Sequence, residues 1–227
     1  MLSARIGFFG GTFAPIHHGH LRLAIELKER LQLTRVLLVP SARPPHRAAP
    51  EVPAQRRLEW ARLAVGDEPG LFVDDREIRR AANCSQPSYT YDTLAEIHAG
   101  QPEATLFLLL GDDAANQLHT WHRWRELFEL AHLIFVERPG ETSSPSSEVA
   151  DFLRDCRASS IEALQAQRAG LWLPIALPPI AISATRIRHL LHAGRSLRGL
   201  VPEAVIRSLT PKDIHELTLN ENPAHDC

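Results

Sequence analysis

Five short apolar runs, residues 6–9, 36–39, 71–73, 106–110 and 133–136, punctuate the first two thirds of the chain, rich in Val, Ile, Leu and Phe and largely unbroken by charge. A strand with one wet face alternates apolar and polar positions, whereas a strand covered on both faces does not, so these runs predict a buried parallel sheet. Between the first two, Leu21, Ala24, Leu27 and Leu31 recur at helical spacing with Arg22, Glu26, Lys28 and Glu29 opposite them, predicting a helix over 19–31. Residues 53–65 and 91–98 read as helices too. Strand and helix in strict alternation predict the α/β class: a doubly wound, Rossmann-like parallel sheet with helices on both faces, whose ligands sit beyond the carboxyl ends of the strands.

Two segments break the alternation. Residues 42–53 hold four prolines and the basic pair His46-Arg47 and predict a loop over that carboxyl edge; residues 139–147, rich in Pro, Ser, Gly and Thr, predict a surface linker. A helical stretch over 149–157, a last apolar segment over 175–182 and a further helix opening at Ser183 follow, with no internal repeat. Residues 1–210 then form one domain, and 211–227, polar and with two prolines, a tail with a poorly ordered end.

With 227 residues, 44% of them hydrophobic, and a formal charge of -2, the chain can bury a full core and carries no charge suited to coating nucleic acid. No apolar run approaches the ~20 residues of a membrane span. The first residues enter a strand without the pattern of a secretory signal, so the expected location is the cytoplasm. Cys84, Cys156 and Cys227 are widely spaced and odd in number, which supports neither a disulfide framework nor a zinc ribbon.

The chemistry concentrates where the first strand hands over to the first helix, in Gly10-Gly-Thr-Phe-Ala-Pro-Ile-His-His-Gly-His20. Gly10 and Gly11 let backbone approach a ligand or take positive φ, Thr12 adds a hydroxyl, and the amides of a helix start favour negative charge, so the turn predicts an anion site. His17 and His20, three apart, share a helix face and can both reach a polyphosphate, where imidazolium would stabilise charge growing during phosphoryl or nucleotidyl transfer. The spacing matches neither the Walker loop nor the Gly-x-Gly-x-x-Gly dinucleotide turn. A plain glycine turn with capping histidines is the bland alternative, and zinc on His17 and His20 lacks a third ligand, so no metal site is assigned.

This turn resembles the Gly-Gly-Thr-Phe-Asp-Pro-Ile-His-x-Gly-His signature of the histidine-x-glycine-histidine nucleotidyltransferases, specifically the bacterial nicotinate mononucleotide adenylyltransferase family. Pro44-Pro-His-Arg47, Pro87-Ser-Tyr-Thr-Tyr-Asp-Thr-Leu94, Gly111-Asp-Asp113 with Trp121-His-Arg-Trp124, Ser183-Ala-Thr-Arg-Ile-Arg188 and Gly194-Arg-Ser-Leu-Arg-Gly-Leu-Val-Pro202 are similar to further motifs of that family, in order along nearly the whole chain. The resemblance implies transfer of the adenylyl group of ATP to nicotinate mononucleotide, giving deamido-NAD and pyrophosphate, with Mg2+ bridging phosphate oxygens mostly through water. It implies ATP contacts from Gly10, Gly11, Thr12, Phe13, His17, His20, Gly111, Asp113, Ser183, Thr185 and Arg188, with His17, His20 and Arg188 catalytic. For the mononucleotide it implies Thr12, Arg47, Tyr89, Thr90, Trp121 and His122, the indole stacking on the pyridine ring.

Two departures stand out: Ala14 replaces the usual Asp, and Ala184 a frequent Ser. Residues 81–86 read as an insertion that lengthens a surface loop. Alternatives are a phosphopantetheine adenylyltransferase, typically shorter and without need of Tyr89, Thr90 or Trp121; a class I aminoacyl-tRNA synthetase, for whose tRNA-binding domains the chain has no room; and a non-catalytic nucleotide binder, which Ala14 keeps open. The expected partners are ATP and the mononucleotide, without nucleic acid or membrane, in a monomer or homo-oligomer.

Overall fold

A computed structural model describes residues 3–44, 51–137, 147–178 and 180–219, with backbone alone at 112, 113, 147 and 148. Six parallel strands form one sheet in the order β3-β2-β1-β4-β5-β6: β1 (Arg5–Gly11), β2 (Arg35–Pro40), β3 (Leu71–Val73), β4 (Thr105–Gly111), β5 (His132–Glu137) and β6 (Trp172–Ala176). The order reverses between β1 and β4, which places a crevice at their carboxyl ends.

The unbroken apolar runs divide by the two-residue period of a strand into two cores. Val36, Leu38, Phe107, Leu109, Ile134 and Val136 face one side with Ala24 and Leu27 of α1 (His18–Arg30), Trp60 and Ala61 of α2 (Ala54–Val65) and Ile187 of α9 (Ala184–His192). Ile6, Phe8, Leu37, Leu106, Leu108, Leu133 and Phe135 face the other, with Leu94 and Ile97 of α4 (Thr90–Gly100), Leu127 of α6 (Leu127–Leu130) and Leu153 of α7 (Ser147–Asp155). Both faces are therefore dry, as the absence of alternation requires.

Three elements differ from expectation. A sixth strand lies at 172–176, overlapping only the start of the apolar segment read over 175–182: Leu133 to Glu137 pair with Trp172 to Ala176, and Pro178 and Pro179, which have no amide to donate, follow one residue later. Residues 81–83 end a helix, α3 (Arg76–Asn83), instead of extending a loop. Four of its first five residues are charged, with ion pairs of Arg76 with Asp74, Arg79 with Asp75 and Arg80 with Glu96, which leaves only Ile78, Ala81 and Ala82 as a short apolar signal. The segment set apart as a tail opens with α11 (Pro211–Thr218), where Thr210 and Asp213 form a capping box and Pro211 starts the first turn. Arg56 of α2 forks onto both carboxylate oxygens of Asp213 at 3.0 and 2.9 Å. α11 thus docks on the sheet-covering helices, α10 (Glu203–Ser208) preceding it and α5 (Asp112–Asn116) and α8 (Ile161–Gln165) completing the set. The linker expected over 139–147 lies outside the described residues up to 146.

Candidate functional site

A cleft of about 620 Å3 opens at the crevice between β1 and β4. Gly10, Gly11, Thr12 and Phe13 line it from the end of β1 and its turn and His20 from the start of α1, Tyr89 and Thr90 from the start of α4, Gly111 from the end of β4 with Trp121 and His122 beyond it, and Thr185 and Arg188 from α9. Residues drawn from four separate stretches of sequence thus meet in one cavity.

The β1 turn is built around Phe13. Its φ of 51° is the left-handed value expected of a glycine, whereas neither Gly10 nor Gly11 takes a positive φ. The ring folds back over the strand end, so that a Cβ on Gly11 would lie 2.7 Å from Phe13 Cε1. Gly11 is needed for close approach of an aromatic ring, not for unusual torsion. Edge-on contacts with Phe9 at 5.8 Å and with His20 at 5.0 Å hold Phe13 in place.

His17 and His20 stack at 3.6 Å between ring centroids. His17 is buried and stands behind His20, which alone of the pair lines the cleft. The His17 amide donates to His20 Nδ1 at 3.2 Å. An acceptor at Nδ1 puts the proton of a neutral ring on Nε2, so His20 is a hydrogen-bond donor. Burial lowers the His17 pKa to about 4, with His18 adding repulsion, and holds His20 well below its ordinary 6.5, with His17 adding to the effect. Near pH 7 both rings of the free site are neutral, because the same packing that positions them removes the water a charged ring needs.

The helix amides are also less open than expected. The His18 N–H donates to Leu200 O at 2.9 Å, and the His20 N–H to His17 O at 2.9 Å. The 194–202 segment therefore anchors the start of α1. On the opposite wall Ser183 caps α9, its hydroxyl accepting from Arg186 N at 3.2 Å, and it does not line the cleft, while Ala184 and Thr185 do. Arg188 bridges the two walls, donating to Ala14 O at 3.2 Å and to Thr185 Oγ1 at 3.2 Å. The position that departs from the motif, Ala14, is buried and serves through its carbonyl.

At the other end Tyr89 immediately precedes α4, its ring 4.3 Å from that of His122, while Trp121 is partly buried against the second core. Of the remaining expected residues, Arg47 lies outside the described residues, and of Asp113 the backbone in α5 is described but not the side chain. Among the described residues no group of three or more His, Cys, Asp or Glu could hold a metal ion.

Two buried charges escaped the sequence reading. Arg57 of α2 donates to Thr12 O at 2.5 Å, Ser41 O at 2.7 Å and Val52 O at 3.3 Å; burial brings its pKa down to about 10. Glu77 of α3 lines the cleft, accepts from Thr93 Oγ1 at 3.0 Å, and has its pKa raised by burial. A lone charge within a helix carries no signal of burial in one sequence.

Residues 8–190 match the Cytidylyltransferase-like family. A protein named "Probable nicotinate-nucleotide adenylyltransferase" in Chromohalobacter salexigens is 45% identical over 214 residues, 93% of this chain and 96% of that protein. One of the same name in Pseudomonas syringae pv. tomato is 45% identical over 95% of this chain and 94% of its own length. Among solved structures, Plasmodium falciparum nicotinic acid mononucleotide adenylyltransferase complexed with APC superposes with a TM-score of 0.67 at 15% identity, covering 95% of this chain and 99% of the other. At that identity the likeness speaks for the fold.

Proposed function

Because the chain belongs to the cytidylyltransferase-like family and matches its nicotinate-nucleotide adenylyltransferases over nearly its full length, we propose that it transfers the adenylyl group of ATP to nicotinate mononucleotide in the synthesis of NAD. The observation that carries this reading is the convergence on one cleft of the β1 turn, the Tyr89-Thr90 helix start, Trp121 and the α9 start. A donor-rich wall faces an aromatic one, as a triphosphate and a pyridine ring require.

In this reading an oxygen of the mononucleotide 5′-phosphate attacks the α-phosphorus of ATP. One P–O bond forms, the bond to the bridging oxygen breaks, and its electron pair leaves with pyrophosphate. No protein nucleophile is needed, so alignment and charge stabilisation supply the rate. His20 Nε2–H donates to the phosphates at the reacting end, and the bound charge raises the ring's pKa, so positive character develops where negative charge accumulates. His17 fixes the His20 tautomer. Thr185 and Arg188 at the start of α9 take the β- and γ-phosphates, and Ser183, expected there as well, serves as the cap of that helix. Gly111 and Asp113 take the ribose of ATP, Arg47 the mononucleotide phosphate, and Trp121 stacks on the nicotinate ring, whose carboxylate meets the backbone near Thr90 and His122.

Mg2+ would arrive with the triphosphate held by His20, Thr185 and Arg188, and bound there it would neutralise phosphate charge. No helix among the described residues is long and apolar enough to cross a membrane, and the reading carries a cytoplasmic site of action. The test is product identity: ATP, Mg2+ and nicotinate mononucleotide should yield deamido-NAD and pyrophosphate in equal amounts, and formation of neither would refute it.

A further inference from the structure

The stretch from Gly194 to Pro202 lines no part of the cleft, yet it returns to the start of α1. Within it Leu197, Arg198, Gly199 and Leu200 form a tight turn, Leu200 N–H donating to Leu197 O at 3.0 Å. Gly199, third in the turn, has a φ of 79°, the positive value that a type II turn requires at that place and that suits Gly or Asn. Leu197 and Val201, both buried in the first core, seat the turn from either side. The Leu200 carbonyl is thereby aimed at α1, where it accepts from His18 N–H at 2.9 Å.

The first amides of a helix have no acceptor within it. In α1 the His17 N–H goes to His20 Nδ1 at 3.2 Å and the His18 N–H to Leu200 O, while His17 O accepts from the amides of His20 and Leu21 at 2.9 and 3.3 Å. His17 to Leu21 are thus one closed hydrogen-bonded unit, tied to the turn through Leu200 O, and from this unit His20 lines the cleft. We propose that the Gly199-Leu200 turn is a positioning element for adenylyl transfer: by holding the first turn of α1 it sets the place and the tautomer of the His20 ring. The proposal rests on the function assigned above, in which His20 Nε2–H donates to the phosphates at the reacting end. That donation strengthens as charge grows in the transition state, so a displaced ring lowers kcat more than it weakens either substrate.

The test compares Gly199→Val with Gly199→Asn. Among the described residues nothing beyond its chain neighbours lies within 4 Å of a Cβ at Gly199, so a substitution acts through the backbone torsion without a clash. Valine, branched at Cβ, resists a positive φ that Asn tolerates. Gly66→Val is the control, at a residue that ends α2 with a φ of 53°, has the same open space and does not line the cleft. Gly199→Val should lower kcat at least about tenfold, as misplacement of a reacting group does, with both KM values within about threefold. Gly199→Asn and Gly66→Val should keep kcat within about threefold of wild type. Nitrogen NMR of the His20 ring, assigned by its loss in His20→Ala, should show Nδ1 bare and Nε2 protonated in wild type and in Gly199→Asn, and a mixture of tautomers in Gly199→Val. A folded Gly199→Val with wild-type kcat or an unchanged His20 tautomer, a Gly199→Asn as slow as Gly199→Val, or an equal loss of kcat in Gly66→Val would each overturn the proposal. If Gly199→Val does not fold, Gly199→Ala beside Gly66→Ala decides by the same readings. Absence of turnover in wild type would overturn the functional reading and the proposal with it, whereas wild-type turnover that Gly199→Val leaves intact overturns the proposal only.

Discussion

Replacing His17 by Gln tests whether the paired histidines are held neutral by packing. His17 folds with a pKa of about 4 against an ordinary 6.5, so between those values the unfolded chain binds a proton that the folded one refuses. Stability from this residue is complete above pH 6.5 and declines as the pH falls toward 4. At about 1.4 kcal/mol per pH unit for one proton, the wild type should lose about 2 kcal/mol between pH 7 and pH 5 through His17. Gln does not titrate, so His17→Gln should lose about 2 kcal/mol less over that interval, whatever its stability at pH 7. Urea unfolding followed by circular dichroism at several pH values between 7 and 5 measures both slopes; titrating groups away from the pair cancel in the comparison, and relief of the His17 contribution to the His20 depression adds to the difference in the same direction. Parallel curves for wild type and variant would show that His17 is not held neutral, and the tautomer argument for His20 would lose its basis.

Three further outcomes follow from the contacts. His20→Ala should cut kcat by at least about a hundredfold with modest change in urea midpoint; a folded variant with near-normal turnover would remove its role at the phosphates. Trp121→Ala should raise KM for the mononucleotide well above any effect on ATP, and equal effects on both would remove the stacking role. Asp213→Ala should cost about 2–3 kcal/mol in urea unfolding, because it strands Arg56 and opens the cap of α11; a cost below about 0.5 kcal/mol would mean that helix is not docked through this pair.

Much of this fold could be read from one sequence because the strands carry their burial on their faces: Leu106 to Leu110 has no polar position, and only a strand covered on both sides tolerates that. The β1 turn was legible because its chemistry is local, whereas Ser183, expected among the ATP contacts, caps α9 outside the cleft. What stayed hidden depends on folding at a distance. The Pro211 that opens the segment expected as a tail is the first residue of a capped helix whose anchor, Arg56, lies 157 positions from Asp213. Glu77 sits on a short, arginine-rich helix, and it is buried where it meets Thr93, 16 positions along the chain. The neutrality of His17 and His20 follows from packing against each other and Phe13, which spacing alone does not reveal.

The central claim, that this cleft joins ATP to nicotinate mononucleotide, is tested most directly by pyrophosphate release with Mg2+ and ATP, offering nicotinate mononucleotide, nicotinamide mononucleotide and phosphopantetheine in parallel. Release with the nicotinate substrate far above the other two is the expected result and would show that Ala14 is compatible with turnover. ATP binding without release from any of the three, or faster release with phosphopantetheine, would contradict the account.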